Sequence, residues 1–278
     1  MEKLTLELLF QIIGIGSASG LIYKDQKLLI IGDNSGYLYE YSIPSHELKR
    51  FPLLENPLEN TPKKDKADFE AITLHSNNVY VFGSGSTQKR NLMIQLDYTN
   101  KEVIKSHDLT ALYNTLQSFG DIKPEDFNLE GAIYNGSTWY LINRGNGNAK
   151  KNSVFTIEGE NLTDNFSLLS NDYKLPKING VKSSFTDAIL VDDSIYFLAS
   201  AEDTNSTYDD GEVLGSVLGK INIATMKIEF TKQISEIHKF EGLTLFTNSP
   251  EKIEFLLCED KDTDVLETDI YKVSLNKK

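Results

Sequence analysis

The chain has 278 residues, 40% of them hydrophobic, and its 28 basic and 41 acidic side chains give a formal charge of -13. Such acidity excludes nucleic-acid binding as the main role, because a phosphate backbone demands a strongly basic face. No run of 18 apolar residues is present to cross a membrane as a helix, and the single cysteine, Cys258, permits no internal disulfide. The framework therefore needs no oxidising compartment, and a cytoplasmic location is expected.

The first apolar run, Leu4 to Ile12, has two readings. One is a secretory core, with Leu8 to Ile15 apolar and Ser17-Ala18-Ser19 resembling a cleavage site, but Glu2 and Glu7 spoil that pattern. The other is a β-strand. Beyond it a short phrase returns five times: Ser19-Gly20-Leu21-Ile22, Glu70-Ala71-Ile72-Thr73, Glu130-Gly131-Ala132-Ile133, Asp187-Ala188-Ile189-Leu190 and Glu241-Gly242-Leu243-Thr244. Each phrase opens an apolar alternation, a polar turn and a second apolar run, which reads as the first hairpin of a structural repeat.

With the fourth repeat taken from Thr186, one residue before Asp187, the steps are 51, 60, 56 and 55 residues. Repeats of short strands at about 40 to 50 residues are propeller blades, and longer loops supply the excess. The second repeat predicts strands at 69–75, 79–82, 92–97 and 103–106. Between the second and third, Asp108 caps a run with Leu109, Leu112, Tyr113 and Leu116 at helical spacing that stops at Gly120, so a short helix is expected there, packed on a rim. The segment Asn56 to Lys66, with Pro57, Pro62 and Lys63-Lys64-Asp65-Lys66, reads as a solvated loop.

The fifth repeat supplies only three strands, at 243–246, 253–258 and 270–275, and the N-terminal run is the natural fourth. Closure of this kind removes two exposed sheet edges. The expected fold is all-β: a single domain over residues 1–278, a five-bladed β-propeller of four-stranded antiparallel blades closed by the N-terminal strand, with six blades as the alternative.

In such a blade the start of the inner strand and the loop between the second and third strands lie at the same end of the ring. One mouth of the channel should therefore gather Glu70, Glu130, Asp187 and Glu241 with the loops 32–36, 83–91, 143–152, 199–219 and 258–269. The small neighbours Gly20, Ala71, Gly131, Ala188 and Gly242 leave room where strands converge. Four carboxylates at a narrow mouth need compensation. A divalent cation such as calcium bound by Glu70, Glu130, Asp187 and Glu241, basic residues reaching in, and protonation are the candidates. A purely structural role, with the acids accepting backbone N–H groups of the next blade, is the alternative.

The loops Gly83-Ser84-Gly85-Ser86-Thr87-Gln88-Lys89-Arg90-Asn91 and Asn143-Arg144-Gly145-Asn146-Gly147-Asn148 combine glycines with arginines suited to an anion. Ser84, Lys89, Arg90, Asn143 and Arg144 are the ligand-binding candidates, and Glu70, Glu130 and Glu241 the catalytic ones. The loop Glu202 to Glu212 carries spaced acids and reads as a lid. His46, His75, His107 and His238 lack metal-ligand spacing.

The motifs Asp68-Phe69-Glu70-Ala71, Gly83-Ser84-Gly85-Ser86, Asn128-Leu129-Glu130-Gly131-Ala132, Asn143-Arg144-Gly145-Asn146-Gly147, Tyr208-Asp209-Asp210-Gly211 and Phe240-Glu241-Gly242-Leu243 together resemble a family of uncharacterised bacterial propellers of unknown function. Through the Leu-Glu-Gly phrase alone, the chain is distantly similar to propellers with phytase-like or esterase-like activity. That likeness implies calcium-assisted phosphoester hydrolysis, with the carboxylates holding metal and Lys89, Arg90 and Arg144 neutralising phosphate. The chain departs from it in having Ser19 in place of an acid and five repeats where those enzymes have six blades. Lactonase propellers are a related comparison, but their mixed ligand set has no clear counterpart here. The leading expectation is a monomer binding a small polar or anionic ligand at the acid-lined mouth, with or without a divalent cation such as calcium. A metal-dependent hydrolase and a protein-interaction scaffold are the alternatives.

Overall fold

A computed structural model describes residues 4–164, 167–207, 211–261 and 265–277. Tyr208, Asp209 and Asp210 of the fourth-repeat motif lie outside the described residues. The protein is a five-bladed β-propeller. Blade one contains strands Ala18–Lys24, Lys27–Gly32, Tyr37–Ser42 and Glu47–Pro52; blade two, Phe69–His75, Asn78–Gly83, Leu92–Asp97 and Val103–Asp108. Blade three contains Leu129–Tyr134, Thr138–Asn143, Asn152–Glu158 and Ser167–Tyr173, all paired antiparallel in chain order. Blade four runs Val181–Val191, Ser194–Asp203, Glu212–Asn222 and Lys227–Ser235, with a two-residue strand, Lys177–Ile178, beside its inner edge. Much of the segment expected as a long loop over 199–219 is therefore strand.

Blade five is completed from both ends of the chain. Phe240–Asn248, Lys252–Glu259 and Glu267–Asn276 are joined on the outside by Leu4–Ile13, which pairs antiparallel with the last strand from Leu4 opposite Leu275 to Ile13 opposite Glu267. The apolar N-terminal run is thus an outer strand of the ring.

The ring is held between blades. Alternating side chains of each sheet pack against the next, giving five interblade cores. Ile31 and Leu38 of blade one meet Ile72, Val79 and Val81 of blade two, and Leu28 and Ile30 meet Leu256, Cys258 and Ile270 of blade five. Each fully buried side chain of this size contributes about 1.5–3 kcal/mol, which leaves the axial residues free to be polar. The helix, Thr110–Gly120, is formed as expected and buries Leu112, Tyr113 and Leu116 in the core between blades two and three. Asp108 Oδ1 accepts the Thr110 N–H at 2.8 Å, and the Tyr113 hydroxyl donates to the Gly83 carbonyl at 2.8 Å.

All five inner strands break register at the same place. The pairing skips one residue between Ala18 and Gly20, Phe69 and Ala71, Leu129 and Gly131, Phe185 and Asp187, and Phe240 and Gly242. A bulge leaves its extra residue out of the ladder and re-aims it. The five bulge residues are Ser19, Glu70, Glu130, Thr186 and Glu241. In four of the five the next residue is small, Gly20, Ala71, Gly131 and Gly242, and in blade four it is Asp187; at Gly242 a Cβ would lie 2.4 Å from Cys258 Sγ and 2.9 Å from Leu21 Cβ of the neighbouring blade.

Candidate functional site at the channel mouth

The bulges divide the axial positions into two kinds. In blades one and four the residue is a short alcohol that ties its blade to the next: Ser19 Oγ donates to the Phe69 carbonyl at 2.5 Å, and Thr186 Oγ1 to the Phe240 carbonyl at 2.7 Å. In blades two, three and five it is a glutamate. Glu70, Glu130 and Glu241 all line one cavity of about 300 Å3 at the mouth of the channel.

Period-2 geometry puts the residue two before each bulge on the same side. Those residues include Ser17, Asp68, Asn128 and Lys239, and all four line the cavity. Each is pinned to its hairpin by one repeated bond: the backbone N–H groups of Asp33, Ser84, Arg144 and Asp260 donate to the carbonyls of Ser17, Asp68, Asn128 and Lys239. The position two before the bulge lines the cavity in blades one, two, three and five, and the position after the second strand does so in blades one, three and five, as Asp33, Arg144 and Asp260.

Basic residues reach in among these acids. Arg144 bridges three blades, contacting Glu130 at 3.2 Å, Glu202 at 2.6 Å and Glu241 at 3.4 Å, with all four side chains buried. Lys239 sits 3.1 Å from both Glu241 and Asp260. On the opposite wall Lys66 contacts Asp33 and lies 2.7 Å from Asp68, whose other oxygen takes Arg90 at 2.6 Å. The cavity wall carries seven carboxylates and five basic side chains, so an acidic excess remains.

Burial sets the protonation pattern, and neighbouring charges modulate it. Burial, reinforced by Glu130, Asp68, Asp33 and Glu241, pushes the Glu70 carboxyl well above the usual carboxylate range. Burial also raises Glu130, up to about 7, against the pull of Arg144 and Lys239. Glu241 is raised by burial and by Asp260 and Glu130, against Lys239 and Arg144. Glu202 goes the other way: burial is outweighed by Arg144, Lys239 and the Gly211 N–H, and its carboxyl is held low.

Several buried acceptors on the wall have no partner. Glu130 uses Oε1 for the Asn128 amide at 2.6 Å and for Arg144, and leaves Oε2 unpaired; Asp33 Oδ1, Asn34 Oδ1 and Asn146 Oδ1 are unpaired as well. Glu130 is 1% exposed and Asn146 8%. Asp33, Asp68 and Glu70 each offer an oxygen within 4.8 Å of the others.

The residues singled out in the sequence separate into four groups. Glu70, Glu130, Glu241, Arg90 and Arg144 meet at the cavity. Ser84 and Asn143 are buried behind it: Ser84 Oγ donates to Asp68 Oδ2 at 2.5 Å, and Asn143 Oδ1 accepts the Asn128 N–H at 2.9 Å. Lys89 lies outside, paired with Asp65 at 3.0 Å and 68% exposed. Asp187 departs furthest from the expected four-acid ring, since its carboxylate accepts the N–H groups of Ala188 at 2.7 Å and Leu243 at 2.6 Å and is absent from the cavity wall. Burial pushes its carboxyl up, although these two bonds oppose the shift.

Sequence reasoning missed Lys66, Asp68, Asn128, Glu202 and Lys239 as site residues. Three of these were readable from spacing, two positions before an inner-strand glutamate. Lys66 was assigned to a solvated loop, but the end of that loop folds over the mouth and its side chain is only 10% exposed.

The chain matches a family of unknown function, DUF6929, over residues 14–275. It belongs to that family. No curated protein matches it. Among solved structures it is similar to the major Malassezia sympodialis allergen Mala s 1, at 9% identity and a TM-score of 0.53, with 96% of each chain covered. It is also similar to the PQQ-bound aldose sugar dehydrogenase of Streptomyces coelicolor, at 10% identity and a TM-score of 0.51, with 98% of each chain covered. At these identities the likeness is one of fold. Among the described residues, no helix is long and apolar enough to cross a membrane.

Proposed function

We propose that this propeller binds a small, donor-rich polar ligand, neutral or cationic, in the acid-lined mouth of its channel. One observation carries the reading. Among the described residues, the buried groups left unpaired on the cavity wall are all oxygens, Glu130 Oε2 and Asn146 Oδ1 foremost, while Arg90, Arg144, Lys66 and Lys239 are each held by carboxylates. An unpaired buried acceptor costs about 1–3 kcal/mol, and a guest carrying hydroxyl or ammonium donors removes that cost. An anion would have to compete with carboxylates already seated on the cations.

The test is calorimetry in EDTA with hexoses, polyols, amino sugars and short diamines against inorganic phosphate and citrate. Saturable heats from the first group are expected, and Glu130→Gln is expected to weaken them by about 10–100-fold, the cost of one charged hydrogen bond. Binding confined to the anions, or no binding from any compound, overturns the reading.

A hydrolase on the same site is favoured by one feature, the Glu130 carboxyl at about 7 with a free oxygen, since a general base works best near the operating pH. Turnover of a generic phosphoester or lactone that Glu130→Gln abolishes would support it. Failure of the wild type across both panels would remove it.

A further inference from the structure

The wall formed by blades one and two differs from the rest of the mouth in its donors. Asp33 follows the second strand of blade one, Asp68 and the bulge residue Glu70 belong to blade two, and their oxygens converge within 4.8 Å. Asp33 Oδ1 has no partner, and neither does Oδ1 of the adjacent Asn34, which also lines the cavity. Glu70 makes no hydrogen bond or ion pair among the described residues, although it is 8% exposed. A second, independent group points the same way: Glu130, 1% exposed, leaves Oε2 unpaired on this cavity and lies near enough to raise Glu70 by its charge. The donors are all oxygens, which suits hard divalent cations; imidazole or thiolate would be needed to favour zinc.

One ammonium now serves this cluster. Lys66 contacts Asp33 and Asp68, and it sits at the end of the loop between blades one and two on a flexible four-carbon stem. Among the described residues, Lys66 and Arg90 pair with this cluster, and Arg90 is committed to the far oxygen of Asp68, so three carboxylates still outnumber their cations. A divalent ion would supply the charge that Lys66 leaves short and take the oxygens that Lys66 does not reach.

We propose that Asp33, Asp68 and Glu70 form a binding site for a divalent cation of the calcium, magnesium or manganese class, and that Lys66 is the ammonium the ion displaces. The site deepens the ligand-binding reading, because the ion would occupy one wall of the same cavity, but it is tested separately from it.

The experiment is titration of the EDTA-stripped full chain with calcium, magnesium or manganese chloride, by calorimetry and by melting temperature. Saturable binding of at least one cation with a rise in melting temperature is expected. Asp33→Asn and Glu70→Gln should each weaken it roughly tenfold or more, and Lys66→Met should tighten it, since a competitor is gone. Should Lys66→Met melt early without metal, restoration of its melting temperature by the cation is the same result in another form. No heat and no shift at millimolar concentrations of all three metals, or affinity unchanged in Asp33→Asn and Glu70→Gln, overturns the proposal and makes Lys66 a permanent counter-ion. Ligand heats measured in EDTA survive that outcome, so the two readings fail independently.

Discussion

Asp187 and Glu241 stand beside the bulges of the inner strands of adjacent blades, four and five, and both are buried carboxylates. Asp187 is in the ladder, one residue past the bulge, and its oxygens are taken by the Ala188 and Leu243 N–H groups. Glu241 is the bulge residue itself, so its side chain leaves the sheet and meets Arg144 and Lys239 in the cavity. A shift of one position converts a cavity acid into a clamp between blades. The short alcohols at the bulges of blades one and four show the complementary substitution, with a ring-locking bond where the other blades spend the position on charge.

If the cavity acids depend on their cations, Arg144→Met has the largest effect. It removes the cation shared by Glu130, Glu202 and Glu241, leaving Lys239 to Glu241, and breaking a buried ion pair costs about 3–5 kcal/mol. A marked fall in melting temperature is expected, partly relieved at lower pH where the carboxyls take up protons; a change no larger than that of a surface substitution would show that the cluster is neutral without it.

A change of intermediate size concerns Glu130. Its native carboxyl is at about 7, against an ordinary value of 4.5 in the unfolded chain, so the native state binds the proton more tightly. The resulting penalty is absent below the lower value, grows as pH rises between the two, and is complete above the higher one. In EDTA, Glu130→Gln should flatten the decline in stability over that window by up to about 1.4 kcal/mol per pH unit. Urea unfolding at several pH values checks this, and parallel curves for mutant and wild type would contradict it.

The smallest effect belongs to a clamp. Thr186→Val removes the hydroxyl bonded to the Phe240 carbonyl and should cost about 1 kcal/mol, read from denaturant midpoints, with ligand and cation binding unchanged. A loss of binding would mean that the alcohols and the glutamates are not separate in function.

The repeat, the helix and the ring-closing strand were legible because each rests on local pattern: a recurring phrase, a helical spacing between a cap and a glycine, and an unpaired apolar run at one end. The bulges were not legible as bulges. Their trace was the one-residue offset between Thr186 and Asp187, which alternation alone cannot resolve, because a skipped residue looks like an ordinary member of an apolar run. The basic half of the site was partly hidden because Lys66 and Lys239 each pair with a carboxylate well separated in sequence, Asp33 and Asp260, which only the folded hairpins bring near. Arg144 was visible as a loop arginine, but its attachment to acids from blades three, four and five is a property of the closed ring.

The register that places Leu4 opposite Leu275 has a consequence for biosynthesis. During synthesis the strand Leu4–Ile13, with Leu8 and Phe10, waits for all the blades between it and Glu267–Asn276 before its complementary edge exists, and the entropy of joining such distant segments is met late. Until that edge is made, the propeller is an open arc with two unsatisfied sheet edges, the state in which aggregation or capture by a chaperone would compete with maturation.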